Sequence, residues 1–164
     1  MLPALSLAFF SKSSSAALPL AISCAENNLK LNPRIAGFSL PLCTTINMNA
    51  CAAFILSTVL FVCMSNGLQF SVAELLGWVF VSTLAAIGNA GVPMGCFFLS
   101  SAILASMNVP LNLLGVILPF YSLIDMLESA INVWSDSCVT VMVEQDVMRH
   151  GEFNVEPIMV VKEN

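Results

Sequence analysis

Two long stretches of the chain, Ile35 to Leu68 and Leu75 to Ile124, contain no charged side chain. Apolar residues dominate them and fall into four blocks. The first, roughly Leu2 to Cys24, is interrupted by the polar run SKSSS at 11–15. The second, roughly Arg34 to Met64, is interrupted by TTINMN at 44–49. The third, roughly Val72 to Met107, has GNAGVPMG at its centre, and the fourth runs from Leu111 to Val143. Polar or punctuating segments separate them: Ala25 to Pro33, SNGLQ at 65–69, and Val109-Pro110. Beyond Val143 the chain turns polar and mixed in charge. A helix needs about 20 apolar residues to cross a bilayer, so the blocks have the right scale for membrane elements.

Three of the four blocks are broken in the middle. Backbone left unpaired in hydrocarbon costs several kcal/mol per group, so irregular chain at that depth must be buried in protein or line a cavity. Broken segments are how transporters build binding sites at the bilayer midplane. Each arm beside GNAGVPMG is about 15 residues, roughly 22 Å as helix, short of the ~30 Å hydrocarbon core. Two short arms around a Gly/Pro tip predict a re-entrant hairpin rather than two full spans joined by an ordinary turn.

Composition supports the membrane assignment. Of 164 residues, 58% are hydrophobic and 9% charged, and the mean hydropathy is +0.90. A soluble domain carries about a quarter charged residues. The net charge of −5 reflects acid concentrated near the C-terminus, and five basic residues in the whole chain exclude nucleic-acid binding as a function class. Lys30 and Arg34 lie between blocks one and two; Arg149, His150 and Lys162 follow block four; the loops at 65–74 and 108–112 have no basic residue. If block two crosses once, block three dips and returns, and block four crosses back, both basic segments share a side. The positive-inside rule makes that side the cytoplasm and the segment 144–164 a cytoplasmic tail. The six cysteines are scattered without a C-x-x-C and read as reduced core residues. His150 stands alone in a polar tail, so the sequence offers no metal cluster. The N-terminus, with its first basic residue after the apolar run, does not read as a signal peptide.

Block four carries Asp125, Glu128, Ser129, Asn132 and Asp136. At about 100° per residue they fall within about 100° of arc, one face of a helix. Carboxylates at membrane depth are costly and functional by default. Carboxylate and amide oxygens suit a hard cation such as sodium, or a substrate ammonium. In TTINMN, Thr45, Asn47 and Asn49 alternate, and in an unwound segment they and the freed carbonyls suit an ion. The hydroxyls, backbone N–H groups and single cation of SKSSS suit a carboxylate.

The ordered set SKSSSAALP, PLCTTINMN, IGNAGVP and DMLESAINVWSD is similar to the dicarboxylate/amino acid:cation (sodium) symporter family, the relatives of glutamate transporters. It covers nearly all of residues 5 to 145. The resemblance implies an all-α membrane fold: a first re-entrant hairpin (1–24), a broken seventh transmembrane helix (34–64), a second hairpin (72–107) and a polar-faced eighth helix (111–143). Together these would be the core of an elevator-type transport domain. It implies that Ser13, Ser14 and Ser15 belong to the hairpin serines, Ser14 facing the substrate, and that Val92 to Cys96 gate it. Asp125 would bind the substrate ammonium, and Asn132 would touch substrate and sodium. Asp136, Asn47, Thr45 and the Cys43 carbonyl would be sodium ligands, as would the backbone oxygens of Ala86 and Ile87. Sodium would be a co-transported ion, and the assembly a homotrimer in the bilayer of the cell membrane.

Departures from the family pattern are as informative. Members that carry acidic substrates have an arginine where this chain has Glu128. An arginine fork pairs a second carboxylate, whereas a glutamate repels it. Glu128 followed by Ser129 resembles the serine/threonine-transporting branch, so a neutral amino acid is expected over aspartate or glutamate. Lys12 lies where some members carry arginine and is expected to neutralise Glu128 or replace the missing cation. Asn49 stands for an aspartate, and Cys51 for a threonine that meets substrate. Full members have about eight helices and two hairpins, so the expectation is the C-terminal half of such a transporter, lacking its scaffold. The competing expectation is a membrane remnant or interaction partner without activity alone. Neither makes or breaks a bond, so the chain is not read as an enzyme.

Overall fold

The computed structural model describes residues 1–89 and 91–150. Within them the chain forms seven α-helices and no strand: α1 (Leu2–Ser11), α2 (Ser14–Asn27), α3 (Pro33–Ile46), α4 (Asn49–Ser65), α5 (Val72–Ile87), α6 (Gly95–Ser106) and α7 (Asn112–His150). Local chemistry sets the breaks. Pro3 lies in the first turn of α1, where a missing N–H costs nothing. The helix ends at Lys12 in a left-handed conformation, φ 56°. Ser13 then caps α2 by accepting the Ala16 N–H at 3.1 Å. Asn32 caps α3 in the same way, with Pro33 behind it. Ser71 and Glu74 form a reciprocal capping box that starts α5.

The second block is one apolar stretch broken at Asn47 and Met48, whose backbones leave the helical region between α3 and α4. The third leaves α5 at Gly88 and restarts at Met94, again left-handed with φ 61°. The arms are 10 and 14 residues in the first pair and 16 and 12 in the second. At about 1.5 Å per residue each is shorter than the ~30 Å hydrocarbon core. The two pairs are not alike. α1 and α2 pack on each other, whereas α5 and α6 each pack chiefly on α4.

α7 is the organising element. It is 39 residues long and contacts α1, α2, α3 and α4. Val133 joins a core of small residues from α1 to α3, among them Ala4, Ala8, Ala17, Ala21 and Ala36. Leu114 and Tyr121 join a second core with Ile55, Val59, Val62 and Leu104. Alanine-rich contacts let helix backbones approach closely, as helices packed in lipid do. The exterior agrees with a lipid surround. Phe10, Phe38, Phe80, Phe98, Phe120 and Trp134 are each more than half exposed, while three carboxylates of α7's polar face are buried.

The sequence places the start of the polar tail at residue 144, but α7 runs on through His150. Glu144 is part of the fold: it is buried, and its Oε1 accepts the Asn32 N–H at 2.6 Å. That bond brings the 28–32 loop to the C-terminal end of α7. Residues 151–164, including Lys162, lie outside the described residues.

Candidate substrate and ion site

The polar face of α7 is buried along its length. Asp125, Glu128, Ser129, Asn132 and Asp136 are each 5% exposed or less. What meets them are backbone and side-chain groups at or beside the three breaks. Asp125 Oδ2 accepts the Met94 N–H at 3.1 Å, from the tip between α5 and α6. Asn132 Oδ1 accepts the Ala50 N–H at 3.0 Å. The first N–H groups of any helix lack partners within it, and Met48 provides no side-chain cap for α4, so α7 supplies the cap across the interface. Asp136 accepts Asn47 Nδ2–H at 3.0 Å and the Thr44 hydroxyl at 3.4 Å. Charge-assisted bonds of this kind are stronger than neutral ones.

The tips also meet each other. Ser13 Oγ donates to the Gly91 carbonyl at 2.9 Å, and Ser14 Oγ to the Ser129 carbonyl at 3.5 Å. Gly91 has φ 64°, and a Cβ there would lie 2.8 Å from Ser15 Oγ and 3.1 Å from Met48 Cε. Only glycine suits both the backbone conformation and the close approach. Segments 12–15, 47–50 and 88–95 therefore converge on residues 125–136.

Beside Asp125 lies a second group. Cys51 of α4, Cys96 of α6 and Glu128 of α7 bring their ligand atoms within 4.8 Å of one another. Cys51 Sγ donates to Glu128 Oε2 at 3.6 Å. Asn89 Nδ2 approaches Cys51 Sγ at 3.2 Å and Cys96 Sγ at 3.3 Å. Three buried oxygens find no hydrogen-bond partner: Asn89 Oδ1, Tyr121 Oη and Glu128 Oε1. Buried polar atoms are nearly always satisfied, so these oxygens stand out beside the polar face of α7. A groove of about 530 Å³ between α4 and α7, lined by residues including Phe54, Ile124 and Leu127, reaches Glu128.

Thr45 is exposed and donates to the Pro41 carbonyl at 3.2 Å; its neighbour Thr44 is the one that reaches Asp136. Asn49 is exposed and donates to Ser135 Oγ at 2.7 Å, short of the buried face. Lys12 Nζ donates to Ser122 Oγ at 2.6 Å and makes no bond to Glu128. The Cys43 carbonyl accepts the Asn47 N–H at 2.7 Å, and the Ala86 carbonyl the Asn89 N–H at 3.0 Å. Ile87 and Val92 lie exposed, on α5 and on the tip that follows it, while Ser15 is exposed against Gly91.

Sequence reasoning passed over Thr44, Asn89, Tyr121 and Ser135. Tyr121 carried a usable signal: four residues before Asp125, it lies about 40° from it on the helix, inside the polar arc. Asn89 sat within GNAGVPMG, but nothing in a loop motif tells which side chain turns inward.

Residues 1–146 match the sodium:dicarboxylate symporter family. The chain is similar to a Caenorhabditis elegans protein named "Putative sodium-dependent excitatory amino acid transporter glt-4", with 36% identity over 159 residues, 95% of this chain and 32% of the relative. It is similar to mouse excitatory amino acid transporter 3, with 32% identity over 88% of this chain and 28% of the relative. It is also similar to bovine neutral amino acid transporter A, with 29% identity over 93% of this chain and 29% of the relative. The chain thus spans about a third of the length of the curated relatives it matches.

Proposed function

The chain belongs to the sodium:dicarboxylate symporter family, a family of transporters and not of enzymes, and from that premise we propose that these residues form the substrate- and ion-holding part of a sodium-coupled amino-acid symporter. The observation that carries the reading is the convergence of three helix breaks on one buried polar helix face inside an apolar exterior. Asp125 receives the substrate ammonium, competing with the Met94 N–H that it now accepts. The serines near Ser14 and the N–H groups at the start of α2 take the substrate carboxylate. Asp136, Asn47 and Thr44 form an oxygen-rich locus for sodium, with Asn132 between it and the substrate. The short α1–α2 and α5–α6 pairs enter the bilayer and return, and the tip at 88–95 opens and closes over the site. Movement of this unit against a scaffold within a trimer completes alternating access.

The substrate side chain faces Glu128, which favours neutral amino acids over dicarboxylates. The names of the relatives span both classes, excitatory and neutral, so family membership leaves the choice to this residue. The test joins these residues to the N-terminal two-thirds of a relative and measures uptake of labelled serine. Sodium-dependent uptake that Asp125→Asn abolishes supports the reading. A correctly inserted fusion without sodium-dependent uptake of any amino acid refutes it and favours a membrane element without transport activity.

A further inference from the structure

We propose that Cys51, Cys96 and Glu128 form a binding site for a soft divalent cation of the zinc type, which clamps the tip between α5 and α6 onto α4 and α7. The three residues are 3%, 1% and 4% exposed and come from three different helices. Their ligand atoms lie within 4.8 Å of one another. Zinc holds sulfur at about 2.3 Å, which places two tetrahedral thiolate ligands about 3.8 Å apart. Movements of about 1 Å therefore close the three atoms around an ion.

A fourth donor is at hand. Asn89 is 6% exposed and its amide lies 3.2 and 3.3 Å from the two sulfurs, while its Oδ1 has no partner. Half a turn of the amide exchanges Nδ2 for Oδ1 and presents an acceptor to the cluster. Glu128 Oε1 is likewise buried without a donor. A free carboxylate oxygen, and an amide that can turn its own free oxygen toward two thiols, suit a cation, and the donor set says which kind. Thiolates select zinc or cadmium over hard ions, so this site is distinct from the all-oxygen locus at Asp136. As each metal–sulfur bond forms, the thiol proton leaves to solvent, and binding weakens as the pH falls. Because Cys96 belongs to the α5–α6 segment and Glu128 to α7, the ion would hold the tip shut. That inhibitory consequence rests on the transport reading above; the binding does not.

Cadmium titrated into the purified, reduced full chain in lipid nanodiscs tests the site, read by cadmium–thiolate charge-transfer absorption. One cadmium per chain is expected, displaced by zinc. Cys51→Ala and Cys96→Ala should each abolish the absorption, and the serine variants at the same positions serve if an alanine variant fails to insert. Glu128→Gln should keep the absorption but weaken binding at least tenfold, about 1.4 kcal/mol. The triple variant Cys24→Ala, Cys63→Ala, Cys138→Ala should bind as the unmodified chain does. Absorption that survives loss of both Cys51 and Cys96, or no cadmium binding to the reduced chain, overturns the proposal. Since no uptake is measured, that failure leaves the transport reading standing, and failure of transport leaves the metal site standing.

Discussion

Glu128 concentrates the question of specificity. It is buried beside Cys51, and Lys12, expected to offset its charge, is instead bonded to Ser122. A substrate carboxylate brought within about 4 Å of an ionised Glu128 meets about 4 kcal/mol of repulsion at an effective dielectric near 20, nearly three orders of magnitude in affinity. Unlabelled aspartate should therefore compete poorly for serine uptake by the fused transporter, and Glu128→Arg should shift preference toward aspartate. Equal competition by aspartate and serine would remove Glu128 as the selector. Asp136 poses the matching question for the ion. It accepts bonds from Asn47 and Thr44, and Asp136→Asn replaces an acceptor-only carboxylate with an amide that can set donor against donor. The sodium concentration for half-maximal uptake should rise tenfold or more, about 1.4 kcal/mol of lost interaction, and an unchanged sodium dependence would place the ion elsewhere.

At the scale of elements, function depends on where helices stop. α3 hands over to α4 through two residues, Asn47 and Met48, and the Ala50 N–H at the start of α4 is met by Asn132 of α7. The tip at 88–95 works the same way: the Met94 N–H reaches Asp125, and the Gly91 carbonyl accepts from Ser13. Gly91→Ala places a methyl in a left-handed backbone position and against Ser15 Oγ and Met48 Cε. The strained backbone, and side chains of Ser15 and Met48 that must both give way, then loosen the tip against the serine segment. Maximal uptake should fall about tenfold or more, while membrane insertion stays normal and a thiol reagent reaches Cys96 faster than in the unmodified protein. Normal uptake with unchanged Cys96 protection would show that the two tips need not touch.

Among the described residues the arrangement of a soluble domain is inverted along α7, with Phe120 and Trp134 outside and Asp125, Glu128 and Asp136 within. The chain should stay in the bilayer after alkaline carbonate extraction; release into the supernatant would contradict the membrane assignment. The bond between Asn32 and Glu144 puts the loop bearing Lys30 at the same end as Arg149. The positive-inside rule predicts that this end lies on the cytoplasmic side. A reporter fused after Asn164 should be active only on the cytoplasmic side, and activity on the opposite side would reverse this topology.

Much of this was legible from the residues alone, because the bilayer imposes strong constraints. Apolar runs without charge define membrane elements, and a polar interruption in such a run has to find protein or water. The face of α7 was readable because a regular helix turns a spacing into a direction, and Tyr121 lies on that face by the same rule. Where the helix stops, the rule stops. In TTINMN nothing local distinguishes Thr44, which reaches Asp136, from Thr45, which bonds back to Pro41. Asn89 between the two sulfurs, Lys12 on Ser122 and Glu144 on Asn32 are likewise products of packing. Cys51 and Cys96 read as scattered core cysteines until α4, α6 and α7 brought them together with Glu128. Periodicity carries information along one helix, but contacts among several broken ones depend on how the helices dock, which only the tertiary structure decides.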